Sequence, residues 1–439
     1  MDLANNLEIV NIAHGGWGVA RPAGKVFFVA GAIPGDVVNA EVFQSKKSFA
    51  KADAIELITA SPDRRAHIWA AADIDKHPKA RPGGADYGHI TPEAQLRYKS
   101  QILAESMQKF AKVTIEQDLV KPIGEHDLGW RTRVDLHVGE HGFPGPYAER
   151  TKNVIKVDEL PLATLAINET EIHKQEFFGS EKIRVIDNKG EIRLVIDRQK
   201  PSTITETAGG YEFQLADSGF WQVHKNAAET LFKAVSDLID DKLFDPKANN
   251  HDLYGGVGLF AAAVANKNPE TKIVSVESDS KAVDYASNNL SFAPHARSVE
   301  DRVDKYLKQT LDNGGKLTGA TIVMDPPRVG AGRDTIQNLT AMKPSQIIYV
   351  ACDPVALARD VEYAMQAGYQ LGIVELIGKL TIKALANKAC AAASDVHDFA
   401  DQVGIDAGCE VFEIQIEVID TIRQLSGEVI AEVFWVKIV

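Results

Sequence analysis

The sequence has few cysteines, no long apolar run and a shortage of positive charge. Its three cysteines, Cys352, Cys390 and Cys409, form no CxxC pair, which argues against a disulfide framework or a metal site built from cysteines. No apolar stretch approaches the ~20 residues that a membrane-spanning helix needs. The chain also does not begin with a basic region followed by an apolar core, as a secretory signal does. We therefore expect a cytoplasmic protein without membrane contact.

Lysine and arginine, 48 in all, are outnumbered by 61 aspartates and glutamates, which gives a formal net charge of −13. This balance argues against a protein wrapped in nucleic acid by bulk electrostatics, but it is compatible with a local basic face that binds RNA. The hydrophobic fraction of 45% is ordinary for a folded chain, and 439 residues correspond to two or three domains at ~100–200 residues each. We expect a monomer.

Residues 1–62 alternate apolar and polar positions between glycine-containing turns. The pattern predicts about five short strands that close into a small OB-like barrel, because closure removes exposed sheet edges. Lys46, Lys47 and Lys51 surround Phe49 in this region. A basic strand that also bears an aromatic residue is typical of an oligonucleotide-binding face, but an ordinary solvent-exposed edge strand explains the same residues equally well.

A second, β-rich unit is expected over residues 63–217. After an irregular start, apolar residues recur at helical spacing over 91–112, and Pro92 follows Thr91 where a helix would begin. We expect this helix to pack on the catalytic domain. Short strand patterns then follow between Gly129 and Leu215.

Residues 218–439 alternate strand and helix patterns, which predicts an α/β, Rossmann-like domain with a parallel-rich sheet. Two of its apolar strands end in polar turns that contain proline: Thr321–Gly330 reads TIVMDPPRVG, and Ile347–Asp360 reads IIYVACDPVALARD. Ligands of open α/β sheets bind outside the carboxyl ends of the strands, so Asp325 and Cys352 are placed for chemistry. The alternative is that Cys352 is a small buried apolar residue and Asp325 a strand-terminal cap.

A glycine-rich turn, DLYGGVG at 252–258, separates a strand from a helix. Its glycines let the backbone approach a ligand closely, and Glu277 ends the next strand, as an acid does when it binds ribose hydroxyls. The turn has neither the GxGxxG spacing nor a P-loop lysine. It therefore favours S-adenosylmethionine over NAD or ATP, with a purely structural turn as the alternative.

Taken in order, these segments resemble the RNA uracil-C5 methyltransferase family, which makes 5-methyluridine in ribosomal and transfer RNA. The resemblance covers residues 1–375, and its five parts are a TRAM-like amino-terminal domain, SGFWQV at 218–223, DLYGGVG with Glu277, MDPPRVG, and YVACDPVALARD. Each motif is weak singly, but five in order are fairly specific. The resemblance implies a class I methyltransferase fold, S-adenosyl-L-methionine as cofactor and rRNA or tRNA as partner. It also implies that the β-rich unit at 63–217 serves RNA recognition.

The resemblance also implies roles for single residues. Cys352 corresponds to the nucleophile that adds to uracil C6 and so activates C5. Its thiol, with an ordinary pKa near ~8.5, would be helped by the helix that begins after Pro354, because a helix amino terminus favours negative charge. The implied catalytic residues are Cys352 and Asp325. The implied cofactor-binding residues are Gln222, Tyr254, Gly255, Gly258, Glu277 and Asp325. Phe220 and Gln222 are the implied substrate-binding residues, to which the basic pattern described above adds Lys46, Lys47 and Lys51.

Two segments depart from the family pattern. Many members bind an iron–sulfur cluster through cysteines in a CGGC-like segment and a later CPLA, where this chain reads PGGA (82–85) and LPLA (160–163). We therefore expect no iron–sulfur cluster. The family also ends in a Phe-Pro-His-Thr…His-x-Glu segment whose glutamate removes the C5 proton. After Gly378 this chain has no such segment, so its tail is atypical and no general base is identified.

The tail instead carries Asp-Val-His-Asp at 395–398, Cys409-Glu410 and two β-rich stretches. The polar clusters match no zinc-site spacing, and the β-rich stretches suit the last strands of the sheet. Two other functions remain open. The missing base motif suggests the first, a catalytically impaired RNA-binding relative of the family. Asp325-Pro326-Pro327 suggests the second, an RNA N-methyltransferase.

Overall fold

The computed structural model describes residues 2–115, 120, 122–123, 128–369 and 371, together with the backbone of residues 416–420 and 432–438. The strands of these residues form four sheets that follow one another along the chain. None of the helices in this part of the chain is both long and apolar enough to cross a membrane.

The amino-terminal sheet has the strand order β1-β5-β6-β4-β3-β2. Its strands are β1 (Asp2–Glu8), β2 (Asn11–Ala13), β3 (Trp17–Ala20), β4 (Val26–Ala30), β5 (Val37–Ser45) and β6 (Phe49–Thr59). The two outer strands, β1 and β2, are joined by Ile9 and Val10 alone, so the sheet curls back on itself. Its alternating apolar residues meet inside, where Leu7, Val38 and Ala52 are buried together. One strand more is present than the alternation predicts.

The central segment begins with helix α1 and continues with an antiparallel sheet in the order β10-β9-β7-β8 and a separate hairpin of β11 and β12. The elements are α1 (Pro92–Ser106), a turn of π-helix (Met107–Ala111), β7 (Arg133–Val138), β8 (Pro144–Gly145), α2 (Leu165–Glu169), β9 (Lys182–Asn188), β10 (Glu191–Ile196), β11 (Thr203–Ala208) and β12 (Tyr211–Ala216). Helix α1 occupies the stretch that the sequence predicts. The inner face of the sheet buries Leu136, Ile183 and Val185 against Leu160.

The carboxyl-terminal part is a seven-stranded sheet in the order β15-β14-β13-β16-β17-β19-β18. Its elements are α3 (Ala227–Leu238), β13 (Asn250–Leu253), α4 (Leu259–Ala265), β14 (Ile273–Glu277), α5 (Ser280–Asn289), β15 (Ala296–Glu300), α6 (Val303–Asp312), β16 (Thr321–Met324), α7 (Arg333–Ala341), β17 (Gln346–Ala351), α8 (Pro354–Gln366), β18 (Ile416–Asp420) and β19 (Glu432–Ile438). The first five strands in that order are parallel, β19 is antiparallel to β17, and β18 is antiparallel to β19. The predicted Rossmann-like α/β fold is confirmed.

The strand order explains where a ligand fits. The chain runs outward from β13 to β15 and then returns to place β16 beside β13, so a crevice opens between the carboxyl ends of β13 and β16. Strands β16 and β17 are buried along their whole length, as expected for parallel strands with both faces covered. Helix α1 packs against α8, since Leu103 and Leu357 belong to one core.

The two β-rich stretches of the tail form β18 and β19, and β19 pairs with β17. The polar clusters at 395–398 and 409–410, like Cys390, lie outside the described residues.

Candidate active site at the carboxyl ends of the parallel strands

Strands β16 and β17 pair in parallel with Met324 opposite Tyr349. Asp325 directly follows Met324, and Cys352 directly follows the end of β17, so the two strand ends are neighbours at one edge of the sheet. The Cys352 side chain is buried, with 5% of its surface exposed. Asp325 is half-buried, and its backbone N–H donates to the carbonyl of Leu253 at 3.2 Å, which joins the end of β16 to that of β13.

The residue after Cys352 caps helix α8. Asp353 Oδ1 accepts hydrogen bonds from the backbone N–H groups of Val355 and Ala356 at 2.9 and 2.8 Å. Its other oxygen, Oδ2, lies 3.3 Å from Nε2 of His14, in the turn between β2 and β3. Although burial opposes ionisation of this carboxyl, the hydrogen bonds from His14 and the two amides hold the pKa of Asp353 below its ordinary value. A carboxylate with its own donors therefore stands beside the thiol.

The turn that follows β16 is held by Asp360, a residue of α8. Asp360 Oδ2 accepts from the Tyr349 hydroxyl and from the backbone N–H of Ala331, both at 2.6 Å. A Cβ on Gly330 would lie 2.6 Å from the same oxygen, so the close approach of turn and carboxylate depends on glycine there. Sequence reasoning assigned Asp360 no role. The signal was present, because a charged residue lies on the apolar face of α8 next to the buried Val361.

The glycine-rich turn after β13 lies against β14. Asp252 is fully buried and its Oδ2 accepts from the backbone N–H of Ala261 at 2.8 Å. Burial raises the pKa of Asp252 to about 8, and the nearby Asp325 and Glu277 add to the effect. A Cβ on Gly255 would lie 2.1 Å from Ser275 Oγ. The chain thus passes β14 too closely for any side chain at position 255.

Glu277 joins the end of β14 to the same turn. Its Oε2 accepts from the backbone N–H of Gly256 at 3.1 Å, and its Oε1 accepts from the N–H groups of Ser278 and Asp279 at 2.6 and 2.9 Å. The Ser278 hydroxyl also donates to Oε1, at 3.0 Å. A carboxylate oxygen has about two lone-pair positions, so Oε2, which accepts from Gly256 alone, retains acceptor capacity for a ligand. Gly258 adopts φ of 94° and is the N-cap residue directly before α4.

A cavity of about 450 Å³ opens between Tyr254 and Glu277 on one side and Pro327, Ala331 and Thr335 on the other. It occupies the crevice that the strand order creates, and its volume lies within the ~300–1,000 Å³ of typical ligand pockets. The Tyr254 side chain is half-buried at its edge, and burial raises the pKa of its hydroxyl to about 12. This cavity brings together the glycine turn, the acid of the next strand and the turn after β16.

Phe220 and Gln222 belong to the segment that leads from β12 to α3. The segment is anchored to the central sheet, where the N–H of Thr132 donates to the carbonyl of Val223 at 2.8 Å. Gln222 is buried, and its amide oxygen has no hydrogen-bond partner among the described residues. Phe220 is 52% exposed. A buried acceptor without a partner is unusual in a folded protein and suits a ligand-facing position.

The predicted basic residues lie on the amino-terminal sheet. Lys46 and Lys47 are exposed in the turn between β5 and β6, and the Lys51 ammonium lies 5.4 Å from the centre of the Trp17 ring. Phe49 packs edge-on against Phe28 at a ring distance of 6.2 Å. The exposed aromatic residue of this face is instead Phe43, 44% exposed and 6.3 Å from Trp17 between ring centres. Sequence reasoning missed both Trp17 and Phe43.

Within the described part of the chain, no group of three or more histidine, cysteine, aspartate or glutamate side chains is arranged to hold a metal ion. At two of the positions where the resembled family carries cluster cysteines, Ala85 and Leu160 are buried in the core of the central sheet.

No protein-family model matches the chain. An uncharacterized RNA methyltransferase of Streptomyces avermitilis is 32% identical over 411 residues, which cover 83% of this chain and 92% of that protein. A second, from Bifidobacterium longum, is 30% identical with coverage of 83% and 91%. Among solved structures, the tRNA (uracil-54, C5)-methyltransferase of Pyrococcus abyssi, in complex with S-adenosyl-L-homocysteine, superposes with a TM-score of 0.62 at 18% identity, covering 99% of this chain and 100% of that one. At that identity the likeness establishes the fold.

Proposed function

Because the chain belongs to the family of these RNA methyltransferases, we propose that it uses S-adenosylmethionine to form 5-methyluridine in ribosomal or transfer RNA, with Cys352 as nucleophile. One observation carries the proposal. Cys352 is a buried thiol at the end of β17, directly before the capped start of α8 and beside the end of β16. Ligands of such folds bind at this edge of the sheet, whereas a cysteine that served packing alone could lie anywhere in the core.

The chemistry explains why a thiol is needed. Uracil C5 is too weak a nucleophile to take a methyl group unaided. As a thiolate, Cys352 Sγ adds to C6, and the electrons of the C5–C6 double bond move to give an enolate with nucleophilic character at C5. C5 then bonds to the methyl carbon while the methyl–sulfur bond breaks with its electrons on sulfur. Removal of the C5 proton by a base restores the double bond and expels Sγ as thiolate.

S-adenosylmethionine, when bound, supplies the methyl group as an electrophilic carbon on a positively charged sulfur. We assign its site to Tyr254, Gly255, Gly258 and Glu277. These residues fit, because the turn passes β14 where a Cβ would collide and Glu277 retains acceptor capacity beside a cavity of suitable volume. Asp325 at the end of β16 stands between this site and the thiol in the strand order.

For the uridine, we assign Gln222 and Phe220 as base-binding residues, since the first has a buried amide oxygen without a partner among the described residues and the second an exposed ring. A base in a stem must be extruded before it reaches a pocket of this kind. Lys46, Lys47 and Lys51 on the amino-terminal sheet are assigned to the RNA backbone.

The first test is covalent trapping. The protein is mixed with S-adenosylmethionine and rRNA and tRNA fragments that carry 5-fluorouridine, and the products are run on a denaturing gel. Fluorine does not leave C5 as a proton would, so the enzyme should stall as a Cys352–RNA adduct, and this step does not require the general base. Cys352→Ala should form no adduct while binding S-adenosylmethionine normally in calorimetry. An adduct in Cys352→Ala, or none with any RNA despite cofactor binding, would overturn the mechanism.

Nucleoside analysis of methylated RNA tests the product. We expect 5-methyluridine from the wild type and none from Cys352→Ala. A methyl group on nitrogen, formed equally well by Cys352→Ala, would instead establish an N-methyltransferase. RNA binding without any methylated product, even at high enzyme concentration, would identify an RNA-binding relative that has lost catalysis.

A further inference from the structure

A second cavity, of about 300 Å³, lies at the junction of the amino-terminal sheet and the central segment. The residues that line it all fall between Gly15 and Arg150, so it is built without the strands that carry Asp325 and Cys352. Its walls include Trp17 and Lys51 of the sheet, the turn at 82–85, and His89. We call it the junction cavity.

Its interior holds two neutral imidazoles. The rings of His67 and His89 stack at a centre distance of 6.1 Å and an angle of 18°. Burial lowers the pKa of His67 to about 4 and that of His89 well below its ordinary value. His89 is only 5% exposed, and its Nε2 has no hydrogen-bond partner among the described residues. Leaving such an atom unpaired is unfavourable, so a ligand with a complementary group gains by entering.

Around the Trp17 ring the cavity combines aromatic surface with positive charge. The Lys51 ammonium and the Arg150 guanidinium lie 5.4 and 5.5 Å from the ring centre, and the Arg150 guanidinium also lies 4.7 Å from the ring of the exposed Phe43. Aromatic rings beside cations are what proteins use to hold unpaired bases.

The charges in the cavity favour a base over a bare anion. Arg150 already pairs with Asp53 and with Glu149, the second at 3.1 Å. The Glu149 carboxyl lines the cavity beside Arg150, so the site offers hydrogen-bond acceptors as well as donors. The Arg81 guanidinium hydrogen-bonds to the backbone, because it donates to the carbonyls of Ala54 and Ile74 at 2.9 and 2.8 Å. A nucleobase, which carries donors and acceptors on one planar ring, matches this mixture.

One short turn links the junction cavity to the candidate active site. His14 contacts Asp353 beside Cys352, while Gly15, Gly16 and Trp17 line the cavity. A Cβ on Gly16, whose φ is 76°, would lie 3.3 Å from the Tyr87 ring, which shows how closely the turn is seated. Four residues span at most roughly 14 Å, a distance that a single RNA strand covers in a few nucleotides.

We propose that the junction cavity binds the base of a second unpaired nucleotide of the substrate RNA, a few nucleotides from the target uridine in the same strand. The base stacks at Trp17 and meets His89 Nε2 inside. The proposal rests on the proposed function in taking RNA as substrate, but it does not depend on the Cys352 chemistry. It narrows the substrate class to RNA in which the target uridine and a nearby nucleotide are both unpaired.

The test is photo-crosslinking of the full chain to rRNA and tRNA fragments that carry 4-thiouridine, followed by mass spectrometry of the crosslinked peptides. We expect crosslinks in the peptides that contain Trp17 or His89, in the wild type and in Cys352→Ala alike. Crosslinks there from Cys352→Ala, together with no 5-methyluridine from the wild type, would keep this inference and refute the proposed function. Adduct formation at Cys352 without any crosslink at either peptide would refute the inference alone.

Kinetics supply a second measurement. Trp17→Leu and His89→Phe should each raise KM for a long RNA fragment about tenfold, on the scale of one stacked base, with kcat unchanged. The same variants should leave KM unchanged for an oligonucleotide too short to reach the cavity. Phe178→Ala, which removes a 70% exposed ring outside the cavity, is the matched control. An equal change in KM for long and short RNA would show that the variants disturb the fold rather than a subsite.

Discussion

His14 Nε2 lies 3.3 Å from Asp353 Oδ2 and so joins the amino-terminal sheet to the capped start of helix α8. The contact matters because Cys352 precedes Asp353. The amino terminus of a helix favours negative charge, but a carboxylate already placed there opposes a neighbouring thiolate. The hydrogen bond from His14 offsets part of that opposition. His14 is therefore a positioning residue for the proposed nucleophile.

Replacing His14 by alanine should slow the reaction of Cys352 with iodoacetamide roughly fivefold, the scale of one lost hydrogen bond. His14→Gln, which keeps an N–H donor on its side chain, should recover part of the rate. The rate is measured by mass spectrometry of the Cys352 peptide, because the chain also contains Cys390 and Cys409. His295→Ala, a change at an exposed histidine near Glu270, is the control. Equal rates for His14→Ala and wild type would contradict the role.

Tyr349→Phe should lower both stability and methyl transfer. The variant removes the hydroxyl that donates to Asp360 at 2.6 Å, which should reduce the free energy of unfolding in urea by about 1–2 kcal/mol. It also loosens the anchor of the turn after β16, so kcat should fall. Tyr369→Phe is a matched control, because that hydroxyl donates to the carbonyl of Pro344 at 2.8 Å. Tyr369→Phe should lower the free energy of unfolding by a similar amount without changing kcat. Loss of kcat in both variants would refute the specific role of Asp360.

Gly255→Ala should destabilise the protein and weaken cofactor binding, because its Cβ would lie 2.1 Å from Ser275 Oγ. Overpacking of this kind costs about 1–3 kcal/mol. Ser275→Ala should be nearly neutral, since Ser275 Oγ has no partner among the described residues. The double variant should therefore be more stable than Gly255→Ala, as a double-mutant cycle in urea will measure. Strict additivity of the two changes would mean that the collision is relieved elsewhere.

Asp252 should make stability fall with rising pH. Burial raises its folded-state pKa to about 8 from an ordinary 3.8, so the folded protein holds a proton that the unfolded chain releases. The resulting stabilisation is full below pH 3.8 and is lost as pH rises through about 8, with a slope of at most about 1.4 kcal/mol per pH unit.

In Asp252→Asn this contribution is absent, so its free energy of unfolding should decline less steeply over the same pH range. Chemical unfolding at several pH values measures the difference. Asp284→Asn, which changes an exposed carboxylate of α5, should keep the wild-type slope. Parallel curves for Asp252→Asn and wild type would show that Asp252 is ionised in the fold.

Much of the catalytic sheet followed from local patterns. Apolar runs such as TIVM and IIYVA predicted buried strands, and helices between them predicted parallel pairing, which brings Asp325 and Cys352 to one edge. The glycine turn and Glu277 were recognisable because a close backbone approach excludes side chains. These features depend on residues near one another in the chain, and so the sequence by itself determined them.

The tertiary structure alone decided the rest. His14 meets Asp353, and Trp17 meets Arg150, only after the amino-terminal sheet has packed against the segments that follow it. Phe49 was expected among the lysines, yet it packs on Phe28, while Phe43, beside Trp17, carries the exposed aromatic surface. Asp360 holds the turn after β16 because the packing of α8 brings its carboxylate to the backbone N–H of Ala331. Pairings across such separations are set by the packing of whole elements against one another, and no local pattern of residues encodes them.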